Sequence, residues 1–179
     1  MICNKLKDCV DSHFAEPAFS IPCMNVGAEC IEFCDTRSQV KCEERGKRYI
    51  LKNTKPCRVI KFHMDGGVIK QDAAVPGGTL KCDNVIAIKD DVQKAIFVEL
   101  KGENVAHALK QLLATLEREK ELVKSCGKVY VRIVLASAVP KLQTTKEYIS
   151  LQKLVLQKGG NIKTHSINFE EKDTELDTL

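Results

Sequence analysis

The chain reads as an α/β fold built around a mixed sheet, and three observations carry that reading. Two apolar-rich runs, Leu80 to Ile88 and Ala95 to Lys101, flank the polar segment Lys89-Asp90-Asp91-Val92-Gln93, which is the pattern of an antiparallel hairpin. An amphipathic stretch from Asn104 to Lys124 follows directly, with Val105, Leu109, Leu112, Leu113, Leu116 and Val123 near helical spacing. Beyond it come strand, helix and strand. That order needs right-handed crossovers, so pairing turns parallel past the hairpin.

Taken in order, residues 1–46 form a Cys-rich segment expected to pack on the core as a cap or a partner surface, with a short helix near Asn4 to His13. Residues 47–169 are the core. Arg58 to Met64 reads as a strand, Asp65-Gly66-Gly67 as a turn and Val68 to Lys70 as the return, so a further hairpin is expected there. The loop Val75-Pro76-Gly77-Gly78 then leads into the Asp83 strand and is placed to rim whatever site lies at its start. Asn104 suits the N-cap of the long helix, and Gly127 follows its end. Lys128 to Ala136 is a strongly apolar strand, Gln143 to Lys158 a second amphipathic helix and Asn161 to Phe169 a final strand. Residues 170–179 hold five acids against Lys172, a net −4, and read as an acidic flexible tail. The expected order is β-β-β-α-β-α-β after an N-terminal helical or irregular segment.

The hairpin carries the chemistry. With its turn centred on Asp91, Asp83 falls directly across from Glu99, and Lys101, two residues on, shares the face. Two ionised carboxylates so placed repel unless a positive charge stands between them. A divalent cation resolves the conflict, and Mg²⁺, which combines one or two carboxylates with waters and phosphate oxygens, is the natural one, with Mn²⁺ as a substitute. The flanking residues agree. Ile86, Ile88, Ile96, Val98 and Leu100 form one apolar face, while Val85, Ala87, Ala95 and Phe97 continue the face that bears the charges. A sheet covered on both sides leaves charges inside it in need of an explanation.

At these residues the sequence resembles the PD-(D/E)xK nuclease superfamily, whose fold is restriction-endonuclease-like; the resemblance spans roughly residues 55–169. It implies that Asp83, Glu99 and the backbone carbonyl of Leu100 hold the metal. It further implies that Lys101 orients the attacking water or accepts its proton, and that Gln111, on the helix after the ELK strand, lies close to that lysine. The Pro that gives the motif its name is absent, since Lys81 and Cys82 precede Asp83. Some members add an acid from the first helix; Glu16, Glu29 and Glu32 are the candidates.

Composition sets the remaining bounds. A chain of 179 residues with 44% apolar content suits one domain with a sizeable core. No stretch approaches a membrane span, and Lys5, Lys7, Asp8 and Asp11 interrupt any secretory pattern, so a reducing, cytoplasmic location is expected. The nine cysteines accord with reduced thiols. Cys23, Cys30, Cys34 and Cys42 have gaps that match none of the common finger patterns, and they read as buried thiols in preference to a Zn²⁺ site. With −4 in the tail and +4 overall, the remaining chain carries +8, which suits a polyanion. Lys47, Arg48, Lys52 and Lys55, in the densest basic stretch, and Lys81 beside the site are the candidate nucleic-acid contacts.

The expected function is that of a Mg²⁺-dependent endonuclease hydrolysing phosphodiester bonds, with DNA as the partner. A homodimer would let it cut both strands. The alternative is a catalytically inactive nucleic-acid- or protein-binding module on the same fold.

Overall fold

Runs of alternating burial and two amphipathic stretches build three layers. The computed structural model describes residues 6–15, 30–69, 76–102, 104–137 and 144–178. The strands are β1 (Ile31–Asp35), β2 (Gln39–Glu44), β3 (Lys47–Lys52), β4 (Arg58–His63), β5 (Asn84–Lys89), β6 (Gln93–Lys101), β7 (Lys128–Leu135), β8 (Ile162–Ser166) and β9 (Asn168–Lys172). The helices are α1 (Leu6–Ala15), α2 (Val105–Arg118), α3 (Lys120–Ser125) and α4 (Lys146–Gln157). The fold is thus mixed α/β, with two mixed sheets and four helices among the described residues.

The larger sheet has the order β1-β4-β5-β6-β7-β8. It is antiparallel from β1 to β6 and parallel from β6 to β8, because helical crossovers replace tight turns after β6. The β5–β6 hairpin has the expected register, with Asn84 opposite Val98 and Lys89 opposite Gln93. Its period-two pattern splits the apolar residues between two cores. Val85, Ala87, Ala95 and Phe97 pack with α1, α2 and α4, whereas Ile86, Ile88, Ile96, Val98 and Leu100 pack beneath the smaller sheet.

That smaller sheet, β2-β3-β9, is the main departure from the sequence reading. Residues 1–46 were expected to form a cap outside the strand order, but β1 is an edge strand of the larger sheet and β2 pairs with β3 across that boundary. Arg45 (φ 46°) and Gly46 (φ 77°) supply the two left-handed residues of a tight hairpin turn. Val40, Cys42, Lys47, Tyr49 and Leu51 point inward, and Gln39, Lys41, Glu43 and Arg48 point out.

The expected flexible tail is likewise built into the fold. The final strand divides at Ile167, whose N–H donates to the Leu135 carbonyl of the larger sheet while its own carbonyl accepts from Arg48 of the smaller one. The chain then continues as β9, parallel to β3. Glu171 is buried against Arg132, itself fully buried, and also accepts from Tyr49 Oη (2.8 Å) and Lys163 Nζ (3.0 Å). Glu171 is thus the partner of buried cations, and Asp173 is buried against the Thr54 hydroxyl and the Thr54 and Lys55 N–H groups, while Glu170, Glu175 and Asp177 lie at the surface beside lysines.

Helices differ from expectation only in their limits. Asn104 caps α2 through the His107 N–H, as its position suggested, but the long helix breaks at Glu119 into α2 and α3. The second amphipathic helix starts at Lys146, capped by Thr145; Gln143 lies outside the described residues. After α4, Gly160 passes so close to β7 that an added Cβ would fall inside the Val129 carbonyl. Gly160→Ala is expected to destabilise the fold by roughly 3 kcal/mol, because backbone must move on both sides. A urea titration measures it, and an unchanged midpoint would contradict that close approach.

Candidate active site

Four elements meet around the charged residues. Glu99 and Lys101 lie at the end of β6 with the parity of Phe97, so they face the helix layer; Asp83 lies just before β5. The start of that strand is fixed from both sides. Asp83 N–H donates to the Val98 carbonyl, and the Leu100 N–H donates to Asp83 Oδ2 at 2.6 Å, bringing the carboxylate against β6 beside Glu99. Because β6 alternates, Val98 and Leu100 both turn their backbone toward β5, so the Leu100 carbonyl faces the flank where Asp83 sits.

Helix α2 secures the rest. Gln111 accepts from Lys101 Nζ at 2.6 Å and donates through Nε2 to the Lys81 carbonyl at 2.7 Å. One turn on, the buried Thr115 hydroxyl accepts from the Cys82 N–H and donates to the Gln111 carbonyl. The sequence places Thr115 with His107 and Gln111 on a polar edge of the helix but assigns it no role. Its signal was the i, i+4 spacing from Gln111 on the polar edge of the helix.

Electrostatics single out Glu99. Its side chain is about 1% exposed, and neither carboxylate oxygen has a hydrogen-bond partner among the described residues. The nearest cation, Lys101 Nζ, is 3.6 Å from Oε1, too far for a hydrogen bond. Burial, and then the neighbouring Asp83 charge, push the Glu99 carboxyl up to about 9. Burial likewise raises Asp83 to about 6, partly offset by the Leu100 N–H. A buried anion without donors is costly unless it is neutralised by a proton or a cation. Among the described residues no three His, Cys, Asp or Glu side chains cluster as a metal cage. Two carboxylates and a carbonyl with open positions nonetheless match the way Mg²⁺ is held, with water and substrate completing its shell.

The other predicted residues are placed differently. Lys81 Nζ pairs with Asp65 at 3.1 Å, and its side chain is 11% exposed. Lys47 is buried, with Nζ directed at the Arg45 carbonyl. Arg48 pairs with Glu43, and Lys52 bonds Gln39 and faces Glu170; both project from the outer side of the smaller sheet. Glu99 and Lys101 lie on the opposite side of the larger sheet, so the structure does not bring this basic strip to the carboxylates. Lys55 is exposed in the β3–β4 connection.

Of the candidate third acids, Glu32 bonds Lys61 at 2.6 Å, while Glu16 and Glu29 lie outside the described residues. Cys30 and Cys34 pack in the helix-side core and Cys42 in the other, so the sheet separates them; Cys23 lies outside the described residues. No helix among the described residues is long and apolar enough to cross a membrane. No family model, curated protein or solved structure matches the chain.

Proposed function

We propose that the chain is a metal-dependent nuclease of the PD-(D/E)xK type, with the restriction-endonuclease-like arrangement of its core and DNA endonuclease activity. The observation that carries this reading is Glu99, a buried carboxylate with two unpartnered oxygens beside a second carboxylate, Asp83, and an ammonium, Lys101. Mg²⁺ or Mn²⁺ would be held by Asp83, Glu99 and the Leu100 carbonyl. When bound, the ion neutralises the two acids and polarises the phosphodiester.

The protein's own groups do the positioning. Lys101 is pinned by Gln111, which is itself tied to the Lys81 carbonyl, so the ammonium has little freedom to wander. Held there, it donates to the water that attacks phosphorus in line, or to the phosphate oxygen on which charge develops. Hydrolysis forms a new P–O bond to that water, whose proton leaves to bulk water, and breaks the bond to the leaving oxygen, which is protonated from solvent. Leu100, buried behind the site, keeps water out of the smaller-sheet core.

Supercoiled and linear DNA incubated with the protein in Mg²⁺, Mn²⁺ or EDTA tests the reading. Nicking is expected with either metal and not in EDTA. Asp83→Ala and Lys101→Ala are each expected to lower the rate by roughly 10²-fold or more. DNA binding without cleavage in any metal would overturn the nuclease reading and leave a silent binding module.

A further inference from the structure

A groove of about 730 Å³ runs between β1 and β4 on one side and β2 on the other, and Asp83 lines it. Phe33 in β1 stands opposite Lys61 in β4, so both side chains rise from one face into this groove. The Arg37 guanidinium lies over the Phe33 ring, 3.4 Å from its centroid. Asp35 clamps it edge-on, accepting from Nε at 2.9 Å and from Nη2 at 2.6 Å. One face of the guanidinium is thus covered and its plane is fixed, while 43% of the side chain stays exposed.

Lys61 is the second element. Its side chain is only 7% exposed, and Nζ donates to the Lys41 carbonyl at 2.7 Å and to Glu32 at 2.6 Å. An ammonium has three donors, and among the described residues these partners take two.

A planar cation set over an aromatic ring, pinned at its edge by a carboxylate and 43% exposed, offers a nucleobase a stacking platform. The groove volume falls in the range of roughly 300–1,000 Å³ that holds ligands of nucleotide size. Paired bases in a duplex are covered on both faces and cannot reach such a platform. Glu32, Glu43, Glu44, Asp65 and Asp83 also line the groove, which limits it to a single phosphate at Lys61 and opposes the second phosphate chain that a duplex would bring.

We propose that this groove is a subsite for one unpaired nucleotide of a single-stranded nucleic acid, its base stacked on Arg37 and its phosphate at Lys61. Its place next to the cleaved bond rests on the nuclease reading, because Asp83 belongs to both.

Fluorescence anisotropy in EDTA, where turnover is blocked, tests it with three labelled probes: an oligothymidylate of about twelve nucleotides, an abasic strand of equal length and a matched duplex. The wild-type chain is expected to prefer the oligothymidylate. Arg37→Ala should weaken that binding about tenfold and leave the abasic strand unaffected. Arg37→Lys, which keeps the charge but loses the plane, should behave like Arg37→Ala. Equal loss on all three probes, or no loss on any, overturns the subsite. Base-dependent binding through Arg37 in a chain that never cleaves keeps the subsite and sinks the nuclease reading. Cleavage with binding indifferent to Arg37 does the reverse.

Discussion

Glu99→Gln is expected to lower the proposed nuclease activity by roughly 10²–10⁴-fold, while making the metal-free protein more stable at alkaline pH. The two effects have one cause. In the folded chain burial raises the Glu99 carboxyl from 4.5 to about 9, so between those values the folded state holds a proton that the unfolded state releases. Stability therefore falls as pH rises through that window, by about 1.4 kcal/mol per pH unit from this group, and levels off above about pH 9. Asp83, raised from 3.8 to about 6, adds the same sign over the lower part of the range. An amide at position 99 has no such proton to lose. Urea unfolding at pH 6, 7.5 and 9 in EDTA should show a declining wild-type midpoint and a flatter one for Glu99→Gln. Added Mg²⁺ should restore the wild type at high pH and leave the variant unmoved, since a ligand stabilises only the state that binds it. A wild-type midpoint that rises from pH 6 to 9 in EDTA would sink the account of Glu99 as a buried, uncompensated acid.

Arg132→Met is expected to cost about 3–5 kcal/mol, the usual penalty for removing one partner of a buried pair. Glu171 would keep Lys163 and Tyr49 but lose the fully buried guanidinium that donates to both its oxygens. Glu171→Leu alone should be at least as harmful, because Arg132 would then be a buried charge whose remaining partners are carbonyl oxygens of Val131, Asn161 and Leu176 and the Asn161 side chain. The double variant should recover much of the loss, and the cycle of midpoints in urea gives the coupling directly. Deleting residues 170–179 is the blunt form of the experiment. A free acidic tail would leave stability unchanged on removal, whereas the structure requires a loss as large as that of Arg132→Met.

The contrast between the hairpin and that tail explains what the sequence could and could not disclose. The β5–β6 hairpin has a short polar turn centred on Asp91, and that turn sets the register that brings Asp83 beside Glu99. Gln111 was expected near Lys101 on the family resemblance alone, and α2, which follows β6 almost at once, brings the two within 2.6 Å. Strands β2 and β3 were harder, since half of the residues in QVKCEE and in KRYILK are charged. Their signal was the period-two pairs Val40/Cys42 and Tyr49/Leu51 about Arg45-Gly46. The tail looked unstructured because its charge density is high, and density says nothing about where opposite charges wait. The hint lay elsewhere, in Arg132, a lone cation within the apolar run KVYVRIVL. Likewise, the basic stretch looked available for phosphate only until the strands brought Glu43 and Glu170 beside it.

The parallel pairing of β9 with β3 joins segments more than a hundred positions apart, so the layer over Val98 and Leu100 is completed only by residues made long after β3. Contacts of such long range close slowly, after the helices and the local hairpin have formed. On the ribosome, the sheet that backs the carboxylates stays unfinished until residues 168–176 have emerged, and a nascent polypeptide stalled before them leaves Arg132 without its counter-ion.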